Sequence, residues 1–196
     1  MTFGSAVGVG FALAACSTST AGNGIPGPSA PVSAPSSAAS STKLNAPQVS
    51  NPLDVTKFEQ NPCGVLSQAQ ALQVANLTTT RVVADPTGPI CRWLDDNHNS
   101  IAFSFARGAG LSDAYEYQDS QSGYFNVAPN IAGYPAVFSG TTDDRSKGGC
   151  QIITGVKNDE VMTVFSSLGV SSPYYSDPCS LAQKAAGAAI ATLKGV

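Results

Sequence analysis

Two acidic pairs and one histidine are the residues of this sequence that could do acid–base chemistry. Asp95 with Asp96, and Asp143 with Asp144, are adjacent carboxylates that could bind Ca²⁺ or act as a general acid and base. Neither pair has the D-x-D-x-D-G spacing of a dedicated calcium loop. His98 is the only histidine, and no G-x-S-x-G motif offers it a nucleophile. We interpret these residues as solvated turns, and we expect no metal, no cofactor and no catalytic residue.

Cys16 follows an apolar segment that has the length of a secretion signal. Residues Val7–Ala15 are small or apolar without interruption, far short of the roughly 20 residues that a membrane-spanning helix needs. The tetrapeptide Leu13-Ala14-Ala15-Cys16 resembles a bacterial lipobox, whose cysteine sulfur receives a diacylglycerol before the preceding peptide bond is cut. We therefore expect a signal peptide over residues 1–15 and lipid attachment at Cys16.

The start of this segment departs from the usual pattern of a signal peptide. No Lys or Arg precedes Cys16, and the first basic residue is Lys43, so the positively charged opening segment is missing. We interpret Met1 as lying downstream of the true start. The alternative is an apolar N-terminus that packs in the core and leaves Cys16 as a free thiol. With lipidation, two acyl chains would form a stable anchor on the outer face of the cell membrane.

The composition changes sharply after Cys16. Residues 17–50 are rich in Ser, Ala, Pro, Thr and Gly, with Lys43 as their only charged residue, and such a segment cannot bury enough apolar surface to fold. We expect residues 16–50 to form a disordered tether and residues 51–196 to form a single globular domain. A net charge of -3 with only ten Lys and Arg residues argues against nucleic acid as a partner.

The hydrophobic periodicity within residues 51–196 predicts helices at both ends and strands between them. Asn61 and Pro62 are typical of a helix start, continuing to Leu72, and Asp177 and Pro178 mark a terminal helix. A short third helix is expected from Leu111 to Ser120. Five segments are predicted to be strands, because their apolar residues alternate with a period of two or because they are rich in β-branched and aromatic residues. They are Ile90–Leu94, Ile101–Phe105, Ala136–Phe138, Cys150–Ile153 and Val161–Phe165. This order predicts an α+β fold with an antiparallel sheet of about five strands and helices packed on it.

Four cysteines remain once Cys16 is set aside. Cys63, Cys91, Cys150 and Cys179 are an even number in a chain with the marks of export, which predicts two disulfides. A zinc site is the competing interpretation, but no two of the four have the ligand spacing that zinc sites use.

Three pairings of the four cysteines are possible, and we favour the nested one. It joins Cys63 to Cys179 at the two helix starts and Cys91 to Cys150 between two strands. Such a pairing would hold the N-terminal ends of the two helices together on one side of the sheet. Trp93, two residues after Cys91 in the same strand, would share its face and pack in the core.

Several short motifs together resemble a known family, the actinobacterial lipoproteins of domain of unknown function 3558. Besides the lipobox and the tether, the matching stretches are Asn61–Ser67, Cys91-Arg92-Trp93, Gly133–Val137, Gly148-Gly149-Cys150 and Asp177-Pro178-Cys179. They cover nearly the whole domain. The resemblance implies a high-GC Gram-positive source and an extracytoplasmic lipoprotein, and it implies no particular activity.

These observations favour a membrane-anchored lipoprotein that works as a non-catalytic binding or accessory module of the cell envelope. Its partners would be the membrane, through the lipid, and a small molecule, a cell-wall component or a protein. The alternative is an envelope hydrolase that uses carboxylates such as Asp95, Asp96, Asp143 or Asp144. Convergence of two carboxylates in a concave pocket would favour the hydrolase, and loop-tip carboxylates with an apolar groove would favour the binding module.

Overall fold

A seven-stranded antiparallel sheet organises the chain. The computed structural model describes residues 44–119 and 123–196, so the expected signal peptide, Cys16 and most of the expected tether lie outside the described residues. The strands run in the order β1-β2-β3-β7-β6-β5-β4, and all neighbours are antiparallel. Their bounds are β1 Thr79–Val83, β2 Ile90–Leu94, β3 Ser100–Arg107, β4 Tyr124–Ile131, β5 Tyr134–Gly140, β6 Gly149–Lys157 and β7 Glu160–Ser167.

Helices cover most of one face of the sheet and part of the other. The main core lies between the sheet and the helices α1 (Thr56–Glu59), α2 (Gln68–Ala75) and α4 (Pro178–Lys194). The short helix α3 (Leu111–Glu116) packs on the opposite face against Val137 and Val161. Two 3-10 turns complete the elements of the described residues, at Pro62–Val65 and Arg145–Lys147.

The terminal helix α4 forms where the sequence predicts it. The Asp177 side chain accepts a hydrogen bond from the Ser180 N–H, Pro178 occupies the first turn, and Gly195 ends the helix with a φ of 76°, a left-handed conformation that favours glycine. Its buried stripe is mostly small, with Ala182, Ala185, Ala186 and Ala189 fully inaccessible. Because alanine side chains are short, the helix can lie close against the sheet.

The helix predicted from Asn61 to Leu72 is instead two separate elements. The 3-10 turn Pro62–Val65 ends at Leu66, whose backbone is extended, and Ser67 then begins α2. Ser67 and Gln70 form a reciprocal capping box in which each side chain bonds the backbone N–H of the other. This local pairing offers a better helix start than Asn61, whose side chain makes no cap hydrogen bond.

The predicted α+β class, antiparallel sheet and two disulfides are confirmed, but the described residues form seven strands rather than about five. All five predicted strands are present, and their alternation is visible in β2, where Cys91 and Trp93 are buried on the helix-covered face. The two strands that the periodicity misses, β1 and β4, lie at the sheet edges. The third helix ends at Glu116, earlier than predicted.

The disulfides join Cys63 to Cys91 and Cys150 to Cys179, so the nested pairing favoured from the sequence is wrong. The Cα–Cα distances are 5.0 and 5.1 Å. The sheet order explains the failure, because β3 and β7 lie between the strands that carry Cys91 and Cys150. At about 4.8 Å per strand, three spacings separate those two cysteines by roughly 14 Å, twice the reach of a disulfide.

Helices α2 and α4 do pack on the same face of the sheet, although no disulfide joins them. The Gln70 amide donates to the Ala188 carbonyl at 3.2 Å, and Lys184 Nζ donates to the Gln73 carbonyl at 2.8 Å. These contacts pair the start of α2 with the later part of α4. The two helices are therefore antiparallel, and their N-terminal ends lie apart rather than together.

The segment before α1 lies against the sheet on the side of α3. The Leu44 N–H donates to the Gln118 side chain, and the Val49 N–H donates to Asn158 Oδ1 at 2.8 Å. Val49 is buried in the core. Ordered contacts thus begin ahead of Asn51, the expected start of the domain. Across residues 44–119 and 123–196, no helix combines the length and the hydrophobicity that crossing a membrane requires.

Candidate functional site

A cleft of about 420 Å³ opens at one end of the molecule, beside the β2–β3 turn. Its walls come from the C-terminal end of α2, the turn Asp95–Asn99, the segment Leu168–Tyr174 and helix α4. The cleft exists because α2 stops abruptly at Asn76, whose left-handed backbone (φ 51°) turns the chain inward to Leu77. Asparagine tolerates this conformation better than most residues.

The floor of the cleft is apolar. It consists of buried side chains from the main core: Val74, Leu77, Ile101, Leu168 and Leu181. Tyr174 stands half-buried at the side of the cleft, next to Pro173. Because these five side chains are almost inaccessible to solvent, they offer a ligand only a small hydrophobic surface, and most of the accessible lining belongs to the polar rim.

The rim beside the β2–β3 turn is polar and held rigidly. Asp95 Oδ1 accepts hydrogen bonds from the N–H groups of Asn97 (2.9 Å) and Asn99 (2.8 Å), and Oδ2 accepts one from the Asn99 side chain (2.7 Å). The buried Asn99 in turn accepts the Gly169 N–H at 2.8 Å. This network fixes the turn to the segment after β7, so both walls are preorganised.

Lys184 forms the opposite side of the mouth. Its Nζ donates to the carbonyls of Gln73 (2.8 Å) and Val74 (2.9 Å), which are among the last backbone acceptors of α2. The ammonium also lies 6.0 Å from the centre of the Tyr174 ring. Lys184 thus caps the C-terminal end of α2, where a cation is favoured, and places one positive charge opposite the acidic rim.

The carboxylates singled out from the sequence do not converge. Asp95 is engaged in its own turn, and Asp96 accepts the Thr78 hydroxyl at 3.1 Å. Asp143 and Asp144 follow β5. Asp143 borders a different, more open cleft of about 480 Å³ together with Arg145 and Asp177, whereas Asp144 pairs with Lys147. Arg145 binds Asp143 with two side-chain hydrogen bonds and lowers the pKa of that carboxyl to about 2.

His98 is the exposed tip of the β2–β3 turn, in agreement with its interpretation as a turn residue. Its backbone is left-handed, with a φ of 62°, and it does not border the cleft formed by the neighbouring residues. Within the described parts of the chain, no three His, Cys, Asp or Glu side chains come together as a metal site. The cleft beside the β2–β3 turn can hold a ligand through its shape and its hydrogen-bonding groups.

Comparison with known families agrees with the motifs. A family model described as "Protein of unknown function (DUF3558)" matches residues 11–192. The chain belongs to this family. The resemblance drawn from the short motifs around the cysteines is therefore confirmed. No curated protein and no solved structure matches the chain. Because the family description names no activity, the function of this DUF3558 chain has to be argued from its own residues.

Two carboxylates of the DUF3558 chain do meet, at the opposite end of the sheet, and the sequence patterns missed them. Glu160 opens β7 with its side chain only 2% exposed, and it pairs with Lys157 across the β6–β7 turn. Glu59, at the end of α1, lies against Glu160 and binds Arg107 with both carboxylate oxygens. Neither glutamate borders the clefts described above.

The environment pushes the pKa values of these two glutamates apart. Burial raises the pKa of Glu160 above its ordinary value of 4.5, although Lys157 opposes this. A hydrogen bond from Glu160 lowers the pKa of Glu59, and Arg107 acts in the same direction. The geometry agrees, because the buried Glu160 Oε1 has no hydrogen-bond partner among the described residues. A proton on Glu160 would donate to Glu59 and satisfy that atom.

Proposed function

We propose that this DUF3558 chain is an extracytoplasmic lipoprotein that captures a small polar ligand in the cleft beside the β2–β3 turn, without catalysing a reaction. The single observation that carries the proposal is the cleft itself. Its apolar floor, its rigid rim of amide, hydroxyl and carboxylate groups, and the charge of Lys184 are suited to recognition. Ligand sites of this kind are largely preformed and use few polar groups for orientation.

The chemistry of the rim indicates the class of ligand. Asp96, Asn97, Ser171 and Ser172 offer acceptors and donors without a strong net charge, and Tyr174 offers an aromatic surface. A molecule with several hydroxyl or amide groups on one side and an apolar face on the other would satisfy both. Fragments of the cell-wall glycan and its peptides have this chemistry, and they are available outside the cytoplasmic membrane.

The anchor in this proposal is Cys16. The apolar segment before it, the lipobox-like Leu13-Ala14-Ala15-Cys16 and the Ser/Ala/Pro-rich residues that follow support signal-peptide cleavage and lipidation on the outer face of the membrane. The two disulfides agree with an oxidising compartment. An actinobacterial source, as the resemblance implies, would place the cleft close to the cell wall.

The alternative of a carboxylate-dependent hydrolase has less support. Such an enzyme would hold an acid and a base on either side of a substrate, whereas Asp95 and Asp96 are neighbours in one turn on the same side of the cleft, and Asp143 borders another cleft. Glu59 and Glu160 do lie together, but Glu59 forms an ion pair with Arg107 and Glu160 forms one with Lys157. The binding module therefore remains the proposal that the geometry favours.

A cleft-blocking variant tests the proposal. The unlipidated chain from residue 16, carrying Cys16→Ser, would be titrated with soluble fragments of purified peptidoglycan in a calorimeter. Ser171→Trp places a large side chain at the exposed mouth of the cleft and should weaken binding by about tenfold or more. Ser176→Trp, on the same segment but beside the other cleft, is the matched control and should bind as the parent does. Equal affinity of both variants would contradict the proposal.

A further inference from the structure

The face of the sheet opposite α2 and α4 is only half covered. Helix α3 and the segment around Ala46 pack on the part formed by Val137, Ile153 and Val161. The remainder, across β2, β3, β7 and β6, carries a shallow cleft of about 300 Å³. Its lining is Ile90, Arg92, Ala102, Ser104, Gln151, Thr163 and Phe165. We call this region the open sheet face.

Two arginines lie side by side at one edge of the open sheet face. Arg81 in β1 is the direct cross-strand partner of Arg92 in β2, so the two side chains project from the same face. The same row continues through Ala102 to Phe165. Like charges placed directly opposite each other destabilise a sheet. A charged residue on an edge strand can prevent pairing with another chain, which would account for Arg81. This explanation does not apply to Arg92, which is on an interior strand.

The other basic side chains show how unusual this pair is. Of the ten Lys and Arg residues, Lys43 lies outside the described residues. Most of the others contact a carboxylate, a backbone carbonyl or an aromatic ring: Arg107, Arg145, Lys147, Lys157, Lys184, Lys194 and Lys57. Arg81 and Arg92 have none of these partners in residues 44–119 and 123–196.

The surface next to the arginines is apolar with hydroxyl groups. Ile90, Ala102 and Phe165 give the cleft a hydrophobic floor, and Ser104 and Thr163 add hydrogen-bonding groups farther from the arginines. Two adjacent guanidinium groups are well suited to one phosphate or carboxylate, because each can donate two parallel hydrogen bonds. A group bound between them would also remove their mutual repulsion. The arginines therefore suit the anionic head of an amphipathic molecule, and the apolar floor suits its hydrocarbon chain.

We propose that the open sheet face binds a single-chain anionic amphiphile, with its phosphate or carboxylate between Arg81 and Arg92 and its hydrocarbon chain over Phe165 and Ile90. This site is separate from the cleft beside the β2–β3 turn, and it does not depend on that cleft's function. Because Arg92 lies beside Arg81, the two arginines select ligands whose head group is a phosphate or a carboxylate. The apolar floor adds affinity that is largely independent of the exact chain.

Calorimetric titration with dodecyl phosphate, below its micelle concentration, tests the site on the unlipidated chain with Cys16→Ser. Dodecyl maltoside and dodecyltrimethylammonium have the same hydrocarbon chain with a neutral and a cationic head. The double variant Arg81→Gln and Arg92→Gln should bind dodecyl phosphate about tenfold more weakly or worse, since charge-assisted hydrogen bonds are lost. The charge-matched control Lys57→Gln and Lys147→Gln should change the affinity less than about twofold, because both lysines lie outside the cleft.

Stability of the same variants gives a second readout. If the arginines only supported the fold, their replacement would lower the melting temperature. The proposal expects a melting temperature that is equal or higher in the Arg81→Gln and Arg92→Gln variant, because a repulsive pair is removed. At the same concentration, dodecyl phosphate should raise the melting temperature of the parent clearly more than that of this variant.

Three outcomes would overturn the proposal. The first is equal binding of the phosphate, neutral and cationic amphiphiles, which would indicate non-specific contact with the hydrocarbon chain. The second is binding to vesicles that contain phosphatidylglycerol without binding to monomeric dodecyl phosphate, which would make this face a membrane-docking surface. The third is an affinity that falls equally in the arginine variant and in the lysine control.

Discussion

At the scale of single residues, the contact between Glu59 and Glu160 is the least expected feature of the molecule. A buried carboxylate is costly unless it is paired, and here one is held between Lys157 and a second carboxylate. The pair links α1 to the start of β7, so it ties the beginning of the domain to the β6–β7 turn. Its protonation should therefore influence stability directly.

Glu160→Gln tests this role through its pH dependence. The pKa of Glu160 is raised in the folded state, so its protonated form stabilises the fold, and this contribution is lost as the pH rises above about 4.5 through the raised pKa. Glutamine keeps the neutral form, and its amide can donate to Glu59. We expect the stability of the variant relative to the parent to increase as the pH rises from 4 to 7, measured by urea unfolding. A difference that is constant over this range would contradict the raised pKa of Glu160.

Thr154→Val tests a second buried polar group. Thr154 is fully buried in β6, and its hydroxyl has no hydrogen-bond partner among the described residues. Valine has nearly the same shape without the desolvation cost of the hydroxyl, so the free energy of unfolding should increase by about 1 kcal/mol. Thr163→Val, on the less covered face, is the control and should stay within about 0.5 kcal/mol of the parent. A destabilised Thr154→Val would reveal a partner for the hydroxyl.

Residue roles set by local sequence were predictable, and those set by distant contacts were not. His98 and Asp95 lie in the turn that their polar neighbours indicate. Glu160 follows Lys157-Asn158-Asp159, which also has the composition of a turn. Its neighbours Glu59 and Arg107, the latter its cross-strand partner in β3, come from remote parts of the chain. Similarly, the cleft requires α2, the β2–β3 turn and α4 together, and no spacing in the sequence indicates their convergence.

At the scale of secondary structure elements, each disulfide fastens a segment that begins with Pro and Cys to a strand. Cys63 follows the start of a 3-10 turn and joins β2, and Cys179 lies in the first turn of α4 and joins β6. This arrangement holds the helical layer to the sheet at two places. It also keeps each loop short, with sequence separations of 28 and 29 residues.

Removal of either disulfide should destabilise the fold by a similar amount. In the chain-entropy model, loops of this length contribute about 3–4 kcal/mol each. We expect Cys63→Ala with Cys91→Ala, and separately Cys150→Ala with Cys179→Ala, to lower the free energy of unfolding by about that much in urea titrations. Peptide mapping of the unreduced parent provides the check on connectivity. Recovery of Cys91 linked to Cys150 would contradict the pairing described here.

The strands that periodicity predicts are the five interior ones, each with a neighbouring strand on both sides. In β3 and β7, alternating residues face the main core, and the pattern is visible in the sequence. In β1, four of the five residues are exposed, and β4 contains Pro129 and two asparagines. Edge strands are held by hydrogen bonds to one neighbour rather than by an apolar pattern of their own. Their position therefore follows from the sheet and not from their composition.

At the scale of the whole molecule, the proposed lipid anchor at Cys16 would hold the cleft and the open sheet face at the outer surface of the membrane. Cys16→Ser removes the proposed acceptor of the lipid, so the variant should lose its membrane association and its labelling by a fatty-acid analogue. Ser29→Ala, within the same tether, should be labelled and fractionate as the parent does. Equal labelling of Cys16→Ser and the parent in the producing cells would show that the lipid, if any, is attached elsewhere.

The two proposed binding regions lie on different surfaces and can be tested in one sample. The cleft is bordered by α2 and α4, and the open sheet face is on the opposite side of the strands. A ligand that occupies one region should leave the amide signals of the other unchanged. This separation allows either proposal to fail without affecting the other.

The most direct test of ligand capture is an amide chemical-shift map of the unlipidated chain with soluble peptidoglycan fragments. Capture in the cleft predicts that the largest changes fall on Asn97, Asn99, Leu168 and Ser172, which border it, and that Ser171→Trp suppresses them while Ser176→Trp does not. Changes confined to residues outside the cleft, or a map that Ser171→Trp leaves unaltered, would contradict the proposed function.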